Sequence, residues 1–432
     1  MHQRLRRYDL WLDCRAETYP SPHPLWPSDP GSWPRLQRLR LMFDCDTADD
    51  PDSHPQGNLP NHFPGLATPI LKRLSLTSCC MPDWNELWTI GNTLTHLEIY
   101  HPPSRLCADR WIELVRNLPN IMSFELSFAV EAFCNHPNSK DRFTLGVKKF
   151  VFSDFFHCCS SFLDRIDLSA TKCRSSNITC LSHPQFDLEI PAEDAMRAVL
   201  PYIKRLLLQV VINNSRFLIS ESLIVIQSGF TEPAILSRKL GQTVIAEHSN
   251  HFCVCFHRIH QLGIFGGPLL FTTLLDLIRP ICTSVELAEI SSYAHLGSRE
   301  WKHFFDILVH CQNLRFMQGV GLTWWKWLCK GLTPAIGEAT NDATEPLFSH
   351  LRSISFKERV QIKERLVTPT NTYALVDEIP FDELKAFCKH RAKIRLPLEW
   401  ISTHRDGIFE MDGFGEIKPE PEPRNTTRRA GS

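Results

Sequence analysis

The segment HFCVCFHRIH sets His251, Cys253, Cys255, His257 and His260 in close succession. Imidazole and thiolate together form the usual ligand set of zinc. In an extended strand, however, His251, Cys253, Cys255 and His257 fall on one face in a line, about 6 to 7 Å apart, whereas one tetrahedral ion draws its ligands to within about 2.3 Å. A buried or half-buried strand is therefore expected here. A metal-binding protein or metal-dependent enzyme using the Cys253 to His260 strand is the alternative from a different class.

Other chemistry-bearing residue types point to structure. The pairs Cys79/Cys80 and Cys158/Cys159 fit an interior where cysteine acts as a small apolar residue. Gly319 and Gly321 in QGVGLTWWKW lack the third glycine of a dinucleotide loop and read as a turn. The following Trp324, Trp325 and Trp327 are expected to pack internally for the most part, with an exposed anchor patch as the alternative. The chain contains no G-x-S-x-G, no G-x-x-x-x-G-K-[ST] and no H-E-x-x-H. No catalytic residue, cofactor or metal ligand is assigned, and the expectation is a non-enzymatic protein.

The elements that position these residues follow from a period. Leu71, Leu74, Leu76 and Cys79 in LKRLSLTSC spell L-x-x-L-x-L-x-x-C, the strand-forming core of a leucine-rich repeat. Apolar residues at positions one, four and six recur in Leu36, Leu39 and Leu41; Leu94, Leu97 and Ile99; Ile121, Phe124 and Leu126; and Val147, Phe150 and Phe152. The step from 71 to 94 is 23, from 94 to 121 is 27 and from 121 to 147 is 26, inside the roughly 20 to 29 residues of such repeats. The step from 36 to 71 is 35 and carries the acidic stretch DCDTADDPDSHPQG, an insertion of the kind that stacked repeats accommodate.

Positions four and six lie two apart, so on a strand both point inward while their neighbours point outward. Between strands, Trp111, Leu114, Val115 and Leu118 are spaced as the apolar stripe of a helix that Pro119 ends. Each unit thus reads as strand on one side and helix on the other. Further copies are read at Leu163, Ile166 and Leu168, and at Ile203, Leu206 and Leu208. Phe217 to Ile226 and Phe252 to His257 read as strands, and Ile259, Leu262 and Ile264 as a possible repeat. Leu269 to Ile278 reads as a helix before Val285 and Leu287, and Trp301 to Val309 as another helix. Leu314 begins a degenerate strand, Leu351, Ile354 and Phe356 restore the motif, and Phe381 to Lys393 is a last amphipathic helix before Leu398 and Ile401.

The expected fold class is α/β, a leucine-rich-repeat solenoid with a mostly parallel strand face and helices on its outer side. The expected organisation is a lead-in with the first strand over 1–29, the solenoid over 30–417, irregular over 170–300, and a disordered tail over 418–432. A net charge of -1 and pI near 7.0 give no electrostatic reason for nucleic acid or an anionic membrane as partner. No apolar run reaches the roughly 18 residues of a membrane span. The N-terminus lacks an apolar signal region, so an intracellular location, cytoplasm and/or nucleus, is expected, with the 16 cysteines mostly reduced and the sequons at Asn177, Asn213 and Asn425 unused.

The order of ATPILKRLSLTSC, the turn at Pro82, Asp83 and Trp84, NTLTHLEI and ADRWIELVRNLPNIMSFELS resembles the fungal F-box and leucine-rich-repeat proteins. So does the ending, with DELKAFCKHR, PLEWI and Asp412, Gly413, Phe414. The resemblance covers roughly residues 8 to 417 and is strongest over 30 to 130 and 345 to 415. It implies a substrate receptor of a cullin-RING (SCF-type) ubiquitin ligase, whose F-box docks on a Skp-type adaptor while the repeats hold the target. No Leu-Pro-x-Glu-Leu-Leu-like stretch precedes Tyr8 to Asp13. The expectation is therefore a receptor with its F-box missing or truncated, which meets the adaptor only if an F-box lies upstream, or a free-standing repeat scaffold.

The candidate partner site is the set flanking the inward residues, on the concave face: Arg38, Arg40, Arg73, Ser75, His96, Glu98, Tyr100, Glu125, Lys149, Arg165, Asp167 and Arg205. Mixed charge with a tyrosine favours a protein target. Glu98, Glu125 and Asp167 interrupt the continuous basic groove that nucleic acid would require.

Overall fold

The computed structural model describes residues 6–13, 34–44, 57–58, 70–81, 83–131, 142–181, 192–209, 215–220, 223–228, 237–239, 242–244, 251–257, 279, 285–290, 303, 306–308, 310–316, 350–356, 361–363, 378–393, 395, 398–403 and 407–410. The fold is α/β with mostly parallel strands. Two compact units divide the chain, one of residues 1–211 and 247–265, the other of 212–246 and 266–432.

In the first unit, strands β1 (Arg7–Asp13), β2 (Arg38–Asp44), β3 (Arg73–Thr77), β4 (His96–Tyr100), β5 (Ser123–Ser127), β6 (Lys149–Phe155) and β7 (Ser175–Leu181) pair in chain order, every pair parallel. The strand His251–His257 adds in parallel beside β7. The register lines up the apolar positions. One row runs Leu39, Leu74, Leu97, Phe124, Phe150, Ser176, Phe252, and the next Leu41, Leu76, Ile99, Leu126, Phe152, Ile178, Val254. All of these are buried, each apolar member contributing roughly 1.5–3 kcal/mol of transfer free energy at full burial.

Helices cover that inward face. Helix α1 (Ala108–Arg116) buries Trp111, Ile112, Leu114 and Val115 and ends where the Asn117 N–H donates back to Leu114, two residues before Pro119. The Trp111 ring lies 5.1 Å edge-on to Trp84 and 6.4 Å from Phe124, and its Nε1–H donates to the Ala129 carbonyl at 2.9 Å. Helix α2 (Phe156–Asp164) follows β6 directly and stacks Phe162 on Phe150 and Phe152, at 6.5 and 4.8 Å between ring centres. Cys158 and Cys159 are buried in this helix, and Cys79 is buried beside β3, as expected of apolar packing.

Parallel sheets ordinarily carry helices on both faces and read as continuous apolar runs. Here β4 and β7 alternate strictly between buried and half-buried residues, and β6 does so until its last residue. One face is packed and the other is open to solvent.

Two backbone segments approach closely at Gly91, which follows a 3-10 helix (Trp84–Ile90) whose first turn the Asp83 carboxylate caps by accepting from Asn85 N–H. A Cβ on Gly91 would sit 2.6 Å from the Asn117 backbone oxygen. Gly91→Ala is therefore expected to cost about 1–3 kcal/mol, measured as a lowered urea midpoint with an unchanged slope. A loss below about 0.5 kcal/mol would show that the two backbones can part freely.

Several sequence expectations require correction. Ile166–Leu168 is extended, but it pairs with Phe143–Leu145 in a separate parallel two-stranded sheet. The next strand of the main sheet after β6 instead carries Ser176 and Ile178 at the inward positions, preceded by Cys173, and from 147 to 173 is 26. A serine at the fourth position hid it. Ile203, Leu206 and Leu208 belong to helix α3 (Ala192–Gln209), where Val199, Leu200, Ile203, Leu206 and Leu207 are buried and Leu208 is 56% exposed. A strand would bury 206 and 208 together, so helical spacing decides the assignment. Phe217 to Ile226 is not one strand but parts of two, Ser215–Ser220 and Leu223–Ser228, paired antiparallel.

In the second unit, Ser215–Ser220, Val285–Ile290, Asn313–Phe316, Ser353–Phe356 and Trp400–Thr403 pair in parallel succession. Gly407–Glu410 closes antiparallel on the last. Ala288, Leu314 and Ile354 share one buried register. Residues 303, 306 and 307 are helical. The helix Phe381–Lys393 forms where the sequence places it and buries Phe387, Cys388 and Arg391. Arg391 donates to the Leu351 carbonyl at 3.0 Å, and burial lowers its pKa to about 10. The expectations for Ile259, Leu262 and Ile264, for Leu269 to Ile278, for Gly319, Gly321, Trp324, Trp325 and Trp327, for most of the acidic insertion and for the tail over 418–432 lie outside the described residues.

Candidate functional site

Because β2 to β6 are in register, the residues between the inward positions form rows on the open face. The first is Arg7, Arg38, Arg73, His96, Ser123, Lys149, Ser175. The second is Asp9, Arg40, Ser75, Glu98, Glu125, and the third passes through Thr77, Tyr100 and Ser127. Arg38, Arg40, Arg73, Ser75, His96, Glu98, Tyr100, Glu125 and Lys149 are thus brought onto one surface.

The centre of that surface is tighter than its surroundings. All of β5 is buried, including the outward Ser123, Glu125 and Ser127. Glu125 accepts from Tyr100 Oη–H at 2.8 Å and from Ser123 Oγ–H at 3.2 Å, and its Oε1 lies 2.8 Å from Lys149 Nζ. Glu98 stands beside it in register, and burial, then the Glu125 charge, raises its pKa. Burial also raises the Tyr100 hydroxyl, reinforced by Glu125 and Glu98. His96 is lowered by burial and by Arg73, while its Nδ1 lies 2.8 Å from Thr95 Oγ1. The arrangement is a fixed acceptor and phenol flanked by cations. It can recognise polar groups.

Arg165, Asp167 and Arg205 are corrected: they lie off this sheet. Arg165 pairs with Asp109 of α1. Arg205, in α3, donates to the carbonyls of Leu163 and Ile166 at 2.5 and 2.9 Å and ion-pairs with Asp167. Gln209 also donates to Asp167, at 2.8 Å. Arg205 thereby satisfies carbonyls left unpaired at the end of α2, a structural task open to it because 203 to 208 is helix and not strand. Arg7, Asp9, Ser123 and Ser127 share the open face and were not among the sequence candidates. The same alternation that selected Glu125 would have selected the serines.

The strand His251–His257 forms as expected, with Phe252 and Val254 buried and His251, Cys253, Cys255 and His257 at the alternate register positions. Among the described residues no group of His, Cys, Asp and Glu could hold a metal ion, and no helix is long and apolar enough to cross a membrane. In comparisons with known proteins, no family model, no curated protein and no solved structure matches the chain.

Proposed function

We propose that this chain is a non-enzymatic leucine-rich-repeat solenoid whose open strand face binds a protein segment, acting as the target-recognition part of a cullin-RING ubiquitin ligase. The observation that carries the reading is a parallel sheet packed on one face only, with the network of half-buried Tyr100 and buried Glu125 set among charged residues on the other. Rigid aromatic and charged anchors held before a partner arrives lower the entropy lost on binding. Cys158, Cys159, Cys173, Cys180 and Cys388 are buried thiols and not disulfides, which supports a reducing compartment.

Two experiments test this. A photoreactive residue replacing Tyr100 is expected to label a partner polypeptide in host extract, and one replacing Leu208 on α3 is not; equal labelling from both positions removes the sheet face from consideration. A purified Skp-type adaptor is expected to be retained by a version of the chain extended upstream through an F-box. Retention by neither form leaves a free-standing scaffold as the reading.

A further inference from the structure

Within the open face, positive charge is gathered at one place. Arg38 and Arg73 are direct cross-strand neighbours, on strands about 4.8 Å apart, and Arg40 follows Arg38 on the same face. None of the three makes an ion pair or side-chain hydrogen bond with a described residue. Among the described acids nearby, Asp9 pairs with Arg7 and Glu125 with Lys149, while Glu98 shares the row of Arg40 across Ser75 and feels its charge without forming an ion pair with it. Like charges directly opposite one another destabilise a sheet. Arg73 and Arg38 also disfavour protonation of the neighbouring His96. At the same strand-start edge, an open groove of about 500 Å³ beside Thr95 and Met122 carries Lys148, Lys172 and Arg174 and no carboxylate. Among the described residues, Arg38 and Arg73 thus form a cationic strip with no carboxylate in an ion pair to it, where self-repulsion works against the fold.

We infer that Arg38, Arg40 and Arg73 are the receptor for an anionic side chain, phosphate or carboxylate, borne by an extended peptide segment of the partner. The inference rests on the sheet face being a protein-binding surface. Guanidinium groups match both anions in geometry and bind them by charge-assisted hydrogen bonds. A bound anion relieves the repulsion between Arg38 and Arg73, and Tyr100 on β4 and Glu125 on β5 lie on the same face to contact neighbouring residues of the segment.

The test uses the full chain and fluorescent, degenerate peptides carrying a central phosphoserine, glutamate or serine, followed by anisotropy. Phosphoserine or glutamate peptides are expected to bind at least tenfold more tightly than serine peptides, with affinity falling as salt rises. Preference for phosphoserine alone identifies phosphate as the source, and equal preference identifies carboxylate. The variant R38Q/R73Q is expected to lose this preference while its Tm stays level or rises; if it fails to fold, R40Q is expected to weaken the preference by itself. Binding that ignores the central residue and survives R38Q/R73Q, but is lost in Y100A/E125Q, overturns this inference and leaves the protein-binding face standing. No binding by any peptide overturns both. Tighter binding of a single-stranded oligonucleotide than of every peptide also overturns it.

Discussion

Trp111→Ala is expected to lower the unfolding free energy by about 3–5 kcal/mol, the largest loss from any single truncation of α1. The indole is fully buried between Trp84 and Phe124, so its removal opens a cavity that these two rings cannot collapse to fill. Its N–H also satisfies the Ala129 carbonyl. Trp111→Phe separates the two contributions. It keeps most of the ring contact and removes one of two hydrogen bonds to that carbonyl, which still accepts from Leu106 N–H at 3.1 Å, for a loss of about 0.5–1.5 kcal/mol. Urea unfolding followed by circular dichroism reads both values. A Trp111→Ala loss under about 1 kcal/mol would mean that the helix does not lock neighbouring units together.

The second large effect concerns Asp154, which is fully buried at the end of β6. One carboxylate oxygen accepts from Val130 N–H at 3.0 Å and the other from Phe155 N–H at 2.9 Å. These bonds favour the charged form, as does Arg105, but burial outweighs them and raises the pKa from 3.8 to about 6. Below about pH 4 the group is protonated whether the chain is folded or not. Between there and about pH 6 the folded chain holds a proton that the unfolded chain has lost, so stability falls as pH rises through this window. Above it the penalty is complete, at roughly 3 kcal/mol. The stability of the native protein relative to Asp154→Asn should therefore be greater at pH 4.5 than at pH 7. A relative stability that is flat between these pH values would show the carboxylate to be ionised throughout. Asp154→Ala should be worse than Asp154→Asn at either pH, because it strands two buried N–H groups at about 1–3 kcal/mol each.

The inward rows of the first unit were legible because leucine, isoleucine and phenylalanine at positions one, four and six leave no competing pattern. Leu71, Leu74 and Leu76, and Leu94, Leu97 and Ile99, all came out buried. The open-face residues from Arg38 to Lys149 followed by parity alone. Legibility failed where composition and period disagreed. Cys173, Ser176 and Ile178 keep the period but place a fully buried serine in an apolar row, whereas Leu163, Ile166 and Leu168 look right locally and arrive too early. At Ile203, Leu206 and Leu208 the six-residue motif is also compatible with a helix, and the buried Val199 and Leu200 one turn earlier settle the period at 3.6. The network on Glu125 could not be read at all, since it depends on three strands meeting in register.

Along β4, Leu97 and Ile99 are committed to the interior while His96, Glu98 and Tyr100 alternate with them on the uncovered side. The two sets of positions answer to separate selective pressures even though they interleave letter by letter. Exchanges at exposed positions of the uncovered side, such as Arg40 and Arg73, should each move stability by no more than about 0.5 kcal/mol. Duplicated copies of the gene could therefore diverge in what they recognise without first passing through a folding defect.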